Sequence, residues 1–249
     1  MVNAIILAGS EMKREEGGLA NKALLTLNGR HMIEYVIEAL KKSGYVDKII
    51  VTGSADELRI LQDRGIDAVI DCNGTIMQNL LQGVGSLDAD KKLLICSCDI
   101  PFITSEAVCD FIEKAIGTKA DVCYPVIEKN KNEEKFPDVR RTYVRVKDGT
   151  FTGGNIFYID PKVLEKGIGL AEKLLESRKN PFKMAGILGS GFLIQFLTGT
   201  LTLEKIEKKF SALIQVKGKA IITEYPEIGN DIDRPEDIVF AQAYFSAKA

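Results

Sequence analysis

Three places in the 249-residue sequence gather side chains able to handle phosphate or a divalent cation. The first is the segment 7-LAGSEMKREEGGLANKALL-25. A glycine-bearing loop of this kind offers backbone N–H groups to phosphate oxygens, and Lys13, Arg14 or Lys22 can supply positive charge beside them. It matches neither GxxxxGK[ST] nor GxGxxG, so the common mononucleotide and dinucleotide fingerprints are missing. The second place is Asp99, which ends the apolar run 93-LLICSCD-99 and is followed by Pro101, whose ring fixes the chain just beyond it. The third is 229-GNDIDRPEDI-238, where Asp231, Asp233 and Asp237 crowd a short turn. A magnesium ion held by one or two carboxylates and by substrate phosphates would relieve that concentration of like charge. Each place also has a structural reading: an ordinary surface loop, a turn or capping aspartate at Asp99, and a helix N-cap at Asp233.

These residues need a frame that brings them together. The run 2-VNAIILA-8 reads as a buried strand ended by Gly9 and Ser10, with further strands at 48–53, 66–71, 93–99 and 120–127. Between them lie segments of helical periodicity at 30–43, 55–65, 75–86 and 104–116. In 75–86 the pattern predicts that Ile76, Leu80, Leu81 and Val84 share one face, and Thr104 caps the next helix. Alternating strands and amphipathic helices specify an α/β fold with a mainly parallel sheet covered on both sides. In such a sheet, ligands bind beyond the carboxyl ends of the strands, which is where the Gly9 loop and Asp99 fall. The segment 142–160 predicts hairpin-like mixed sheet. Beyond it we expect helices near Pro161, near Ala171, at 191–198 and at 202–209, a strand over 212–223, and a last helix opened by Pro235. No linker or repeat divides the series, so 1–249 reads as one domain, with 128–155 a candidate insertion closing over a substrate.

The composition excludes several classes. An apolar fraction of 45% and a charged fraction of 27% are ordinary for a globular chain. A net charge of -2 and a pI of 5.7 give no general attraction to nucleic acid. The charges in 128-EKNKNEEKFPDVRR-141 are mixed; they suit a solvated excursion, or one in which Lys135, Arg140 and Arg141 face an anionic substrate. No apolar run approaches the length of a membrane span. The cysteines are five, an odd number, and the start of the chain lacks a signal-peptide pattern, which together predict a reducing cytoplasm. Cys96 and Cys98 read as buried structural thiols. His31, the single histidine, opens a helix and reads as structural.

In their order and spread, LAGS at 7–10, NKALLTLNGRHMIEYVIEAL at 21–40, ICSCDIPF at 95–102, FTGGNIFYID at 151–160 and NDIDRPEDI at 230–238 make a family resemblance. The chain resembles the MobA-like NTP transferases, nucleotidyltransferases of GT-A-like fold that include molybdenum-cofactor guanylyltransferase and sugar-1-phosphate nucleotidyltransferases. The resemblance implies a three-layer, Rossmann-like α/β sandwich with a mainly parallel mixed sheet. It further implies that Leu7, Ala8, Gly9, Ser10, Lys13 and Arg14 wrap a nucleotide and its phosphates, with Asn73, Gly74 and Thr75 near the base or ribose. Lys22 would contact the phosphates and Asp99 would ligate Mg²⁺ together with Asp233, making Lys22 and Asp99 the expected catalytic residues. Gly153, Gly154 and Asn155 would shape the acceptor site. Ser10 stands where many relatives have a second glycine, and Lys13-Arg14 lie in a longer, more acidic stretch than the family's compact Arg-Met-Gly pattern.

The reaction so implied moves a nucleoside monophosphate from an NTP, with CTP or GTP favoured, onto a small phosphorylated or alcohol-bearing acceptor, releasing pyrophosphate. A phosphate acceptor is already ionised near neutral pH, so no catalytic histidine is needed. A nucleotide-sugar-dependent glycosyltransferase and a non-catalytic nucleotide-binding regulator are the rival readings. The apolar stretch 184–197 suits a pocket lining, a homodimer face or simple core packing.

Overall fold

The computed structural model describes residues 1–9, 11–13, 19–72, 74–164, 169, 173, 177 and 186–247. Ser10, Arg14, Asn73 and the helix expected near Ala171 lie outside the described residues. Among those described, strand β1 (Val2–Leu7) is central, pairing in parallel with β6 (Val46–Gly53) on one side and β8 (Leu93–Ser97) on the other. Two short antiparallel pairs come between β1 and β6 in sequence. They are β2 (Glu11–Lys13) with β3 (Leu19–Asn21), and β4 (Thr26–Leu27) with β5 (Arg30–His31). Beyond β6 the sheet ends at β7 (Ala68–Asp71).

Past β8 the sheet turns mixed. Strand β12 (Ile156–Ile159) runs antiparallel to β8 and to the start of β9 (Val122–Glu128). Strand β11 (Gly149–Gly153) pairs antiparallel with the other end of β9 and with β10 (Val144–Val146), while β13 (Gly218–Thr223) lies parallel along β9. The fold is thus α/β with a mixed sheet, as expected. Within the candidate insertion 128–155, Val144–Val146 and Gly149–Gly153 join that sheet, and the charged stretch 128–141 buries Asn132 and Phe136 completely, so it is more than a solvated excursion.

Alternation along β1 sets the layers. Ala4, Ile6 and Ala8 face α1 (Met32–Lys42) and α4 (Ser105–Thr118), packing with Ile33, Val36, Val108 and Phe111. Ile5 faces the opposite side, where it meets Met77 and Leu80 of α3 (Ile76–Gly85). Successive strand residues point to opposite faces, so a continuous apolar run signals cover on both. Full burial of a side chain such as Phe111 stabilises the fold by about 1.5–3 kcal/mol.

Three expectations change. Helix α3 buries Met77 and Leu80, while Ile76 and Leu81 are exposed, so the apolar stripe lies about one position away from the predicted face. The segment expected as strand over 212–223 begins as the end of a helix, Leu203–Ile214, and only Gly218–Thr223 is strand. The segment 55–65 is a single helical turn, α2 (Ala55–Leu58), continued as 3₁₀ helix to Arg64, with Gly65 in the left-handed region at φ 85°. A short helix, α5 (Lys129–Lys135), follows β9. Numbered in chain order, α6 is Ser190–Leu197, α7 is Leu203–Ile214 and α8 is Pro235–Ser246. No helix among the described residues is long and apolar enough to cross a membrane.

Candidate active site at the carboxyl edge of the sheet

Parallel strands β1 and β8 deliver their ends to one edge, with Leu7 opposite Ser97. The Cys98 N–H donates to the Leu7 carbonyl at 3.2 Å, so the loops leaving both strands diverge from a common point. Antiparallel β12 starts at the same edge: the Ser97 N–H donates to the Asn155 carbonyl at 3.0 Å. The loop before α8 is pinned there too, because Ile232 N–H donates to the Asp99 carbonyl at 2.9 Å. Residues far apart in the chain therefore meet where β8 ends.

Asp99 is 7% exposed, and its two oxygens have different partners. Oδ1 accepts from the Ser97 hydroxyl, and Oδ2 accepts from Lys22 Nζ at 2.5 Å. The same ammonium donates to Asp233 Oδ1 at 2.5 Å. Asp231 completes the group, and one oxygen from each of Asp99, Asp231 and Asp233 lies within 4.8 Å of the others. Arg141 pairs with Asp231 and donates from Nη2 to the Gly153 carbonyl at 2.9 Å. Three carboxylates thus face two fixed cations.

The charges shift accordingly. Burial by itself would lower the pKa of Lys22, but Asp99 and Asp233 together outweigh it and the ammonium is held above its ordinary value. Burial pushes the Asp231 carboxyl up; Arg141 opposes this, while Asp233 and Asp99 add to it. For Asp233 burial also pushes upward, but the Lys22 hydrogen bond and charge win and its carboxyl is held low.

Lys22 owes its position to Asn21. The Asn21 amide donates to the Ala8 carbonyl and to Glu57 Oε2, each at 3.0 Å, while its oxygen caps the short 3₁₀ turn Lys22–Leu24 by accepting from Ala23 N–H. The turn is thereby clamped to the end of β1. Asn79 of α3 does comparable work on the next loop: its oxygen accepts from Gly74 N–H at 3.0 Å, and its amide lies 3.1 Å from where a Cβ on Gly9 would be. Leu7, Ala8, Gly9, Gly74 and Thr75 lie along this edge, with Thr75 also capping α3. Lys13 lies in β2, opposite Leu19.

Gly153, Gly154 and Asn155 form an outward step in the sheet. Gly153 faces Val126 and Tyr158 faces Cys123, so the β11–β12 segment carries extra residues between the two pairings, as a bulge requires. A Cβ on Gly153 would sit 1.9 Å from the Tyr124 hydroxyl, and one on Gly154 2.7 Å from Pro125 Cγ. The close approach that demands glycine here is made by the protein's own side chains. The Asn155 amide donates to the Gly229 carbonyl at 3.1 Å, tying the step to the acidic loop.

Sequence reasoning named Asp99, Lys22 and Asp233, and the structure brings all three into direct contact. Asp233 does not cap α8: Arg234 holds the N-cap position, and Asp237 in the first turn accepts from the Asp233 and Arg234 N–H groups. Asp231 was visible as part of an acidic turn, though not as a member of the cluster. Asn21 and Ser97 lie inside the family-like segments 21–40 and 95–102 but carry no expected role there, and Asn79 lies in none of those segments. Of the three basic residues singled out in the charged stretch, Arg141 reaches the cluster, Lys135 pairs with Glu227 at 2.5 Å and Arg140 is exposed. His31 Nδ1 bonds the Leu24 carbonyl at 2.9 Å, a structural role. Cys96 and Cys98 are fully buried in the main core.

A "Probable molybdenum cofactor guanylyltransferase" of Thermococcus kodakarensis is 26% identical over 125 residues, 50% of this chain and 59% of that relative, so the match spans about three-fifths of its length. A solved structure described as a hypothetical transferase from Thermus thermophilus superposes with a TM-score of 0.84 at 33% identity, covering 96% of this chain and 100% of that one. A 4-diphosphocytidyl-2C-methyl-D-erythritol synthase from Anaerococcus prevotii shares the fold, with a TM-score of 0.61 at 15% identity over 98% of each chain. The MobA-like NTP transferase domain model matches residues 4–177, a span that holds the β1 loop, Lys22, Asp99 and the Gly153–Asn155 step, and the chain belongs to that family.

Proposed function

We propose that this chain is a Mg²⁺-dependent nucleotidyltransferase, a single catalytic domain over 1–249, which transfers NMP from an NTP to a small phosphorylated or alcohol-bearing acceptor. The observation that carries the reading is the clustering of Asp99, Asp231 and Asp233 at the carboxyl edge of the sheet, with Lys22 bridging Asp99 and Asp233. The donor set fits magnesium: all three groups offer hard carboxylate oxygens, with no sulfur or imidazole among them. Asp99 and Asp233 would hold the ion, which when bound would neutralise charge on the triphosphate oxygens.

The protein's own part is positioning and electrostatics. Lys22, clamped by Asn21, offers its ammonium to the negative charge that gathers as the pyrophosphate leaves. The Ala8 N–H is taken by the Thr52 carbonyl at 2.8 Å, so the backbone from Gly9 onward would meet the phosphates, with Gly74 and Thr75 toward the ribose or base. An acceptor oxygen lying toward Gly153–Asn155 attacks the α-phosphorus; the bond from that phosphorus to its bridging oxygen breaks, and pyrophosphate departs with the bond's electrons. A phosphate acceptor needs no base, whereas an alcohol must lose a proton. Arg141, between Gly153 and Asp231, adds positive charge on the acceptor side.

The name of the Thermococcus relative puts GTP first in the test, with CTP beside it. Pyrophosphate release is measured with ATP, CTP, GTP, UTP and dTTP separately, with and without Mg²⁺ and a pool of phosphorylated sugars, polyols and small acids. Release that needs one nucleotide, the metal and the acceptor supports the proposal. Transfer from a nucleotide sugar without pyrophosphate, or nucleotide binding with no turnover against any acceptor, points instead to a glycosyltransferase or a regulator.

A further inference from the structure

Lys22 stands where a divalent cation would have to go. Its Nζ lies 2.5 Å from Asp99 Oδ2 and 2.5 Å from Asp233 Oδ1. An ion drawing one oxygen from each of these residues at about 2.1 Å needs the same lone pairs and nearly the same volume. The ammonium and the ion cannot both occupy that gap, since two positive centres so close repel strongly. Resting on the nucleotidyltransferase reading above, we infer that Lys22 is a built-in competitor for the cation site and that an incoming triphosphate relieves it. The polyphosphate oxygens draw the ammonium out of the cluster, and the carboxylates it leaves take the cation. Nucleotide and metal therefore bind with positive coupling, and the resting protein binds the metal poorly.

The three acids differ in a way that suits this exchange. Asp99 is fixed, with its side chain 10% exposed and its second oxygen held by Ser97. The Asp233 side chain is 64% exposed, which leaves it room to turn when Lys22 departs, and it also shares a hydrogen bond with Asp231. Asp231 keeps its own counter-ion, Arg141, throughout. Removal of one ammonium thus opens two carboxylates at once without leaving the third unpaired.

The test is Mn²⁺ binding, followed by the electron paramagnetic resonance signal of the free ion, in the wild type, Lys22→Met and Lys22→Gln, each with and without an α,β-methylene NTP. Without nucleotide, both variants should bind Mn²⁺ roughly tenfold or more tightly than the wild type, the scale of one close, partly desolvated charge pair. The nucleotide analogue should tighten Mn²⁺ binding more in the wild type than in the variants. Equal or weaker nucleotide-free binding in the variants, with binding still abolished by Asp99→Asn, would overturn the competition while leaving the cation site standing. Mn²⁺ binding that is absent everywhere, or unaffected by Asp99→Asn, would overturn the metal reading itself and this inference with it. Should both variants fail to fold, the wild type still decides: acylation of Lys22, read by peptide mass, should accelerate as Mg²⁺ is added, and unchanged protection at saturating Mg²⁺ would overturn the inference.

Discussion

Changing Asp99 to Asn keeps its shape but removes a buried charge that meets both Lys22 and Ser97. Under the proposed reaction, Asp99→Asn should lower Mg²⁺-dependent turnover by about 10²–10³-fold. Asp233→Asn should cost nearer tenfold, because an exposed amide oxygen can still coordinate; steady-state kinetics across a Mg²⁺ titration separates the two. Asp231 makes a different prediction, because burial beside two other acids raises its pKa. A raised carboxyl favours the folded state while protonated, so that stabilisation is full below the ordinary value near 3.8 and is lost as pH rises through the folded value. Asp231→Asn should therefore raise the Tm of the metal-free protein at pH 7, and the gain should vanish as pH falls below that ordinary value. A Tm lowered at pH 7 would show that the Arg141 pairing outweighs the burial of Asp231.

At the scale of elements, the acidic loop is held by aromatic packing. Phe102, three residues past Asp99, lies 5.3 Å from Phe136, 5.0 Å from Tyr244 and 5.7 Å from Phe245, ring centre to ring centre. It joins the β8 loop to α8, the helix that follows Asp233. Phe102→Ala should cost about 3–5 kcal/mol of stability by denaturant titration and weaken cation binding in the molecules that remain folded. The β11–β12 step gives a comparison. An alanine at Gly154 meets Ile228 Cγ2 at 2.6 Å and the Pro125 ring at 2.7 Å, and should destabilise by roughly 1–3 kcal/mol; at Gly153 it meets the Tyr124 ring, which must leave its stack on Phe157 to make room, and should cost at least as much. Elements with strong periodicity or caps were legible in sequence: β1, α1, β8 and α4 fall within a few residues of expectation. The stripe of α3 was misplaced because Met77 and Ile76 are equally apolar, and only the position of the sheet beneath decides which is buried. The end of α7 was read as strand because Ala212, Leu213 and Ile214 are apolar in either period.

For the molecule as a whole, the order of elements sufficed to place Asp99 and the β1 loop at one edge, because parallel strands joined by helices leave little choice. What sequence could not supply was the side-chain pairing across that edge. Arg141 meets Asp231 only because β11 joins the sheet beside β9, a pairing no local pattern encodes. The partners Lys22 and Asp233 are 211 positions apart in the chain. At a synthesis rate of about 5–20 residues per second, roughly 10–40 s separate their appearance. During that interval the nascent chain can complete every strand of the sheet among the described residues, the last of which ends at Thr223, and yet lack two of the three acids. A chain clipped ahead of Asp231 would keep the strands but lose α8 and its packing on Phe102, together with Asp231 and Asp233 of the acidic cluster. The proposed cation site is thus incomplete until the chain has grown past Asp233.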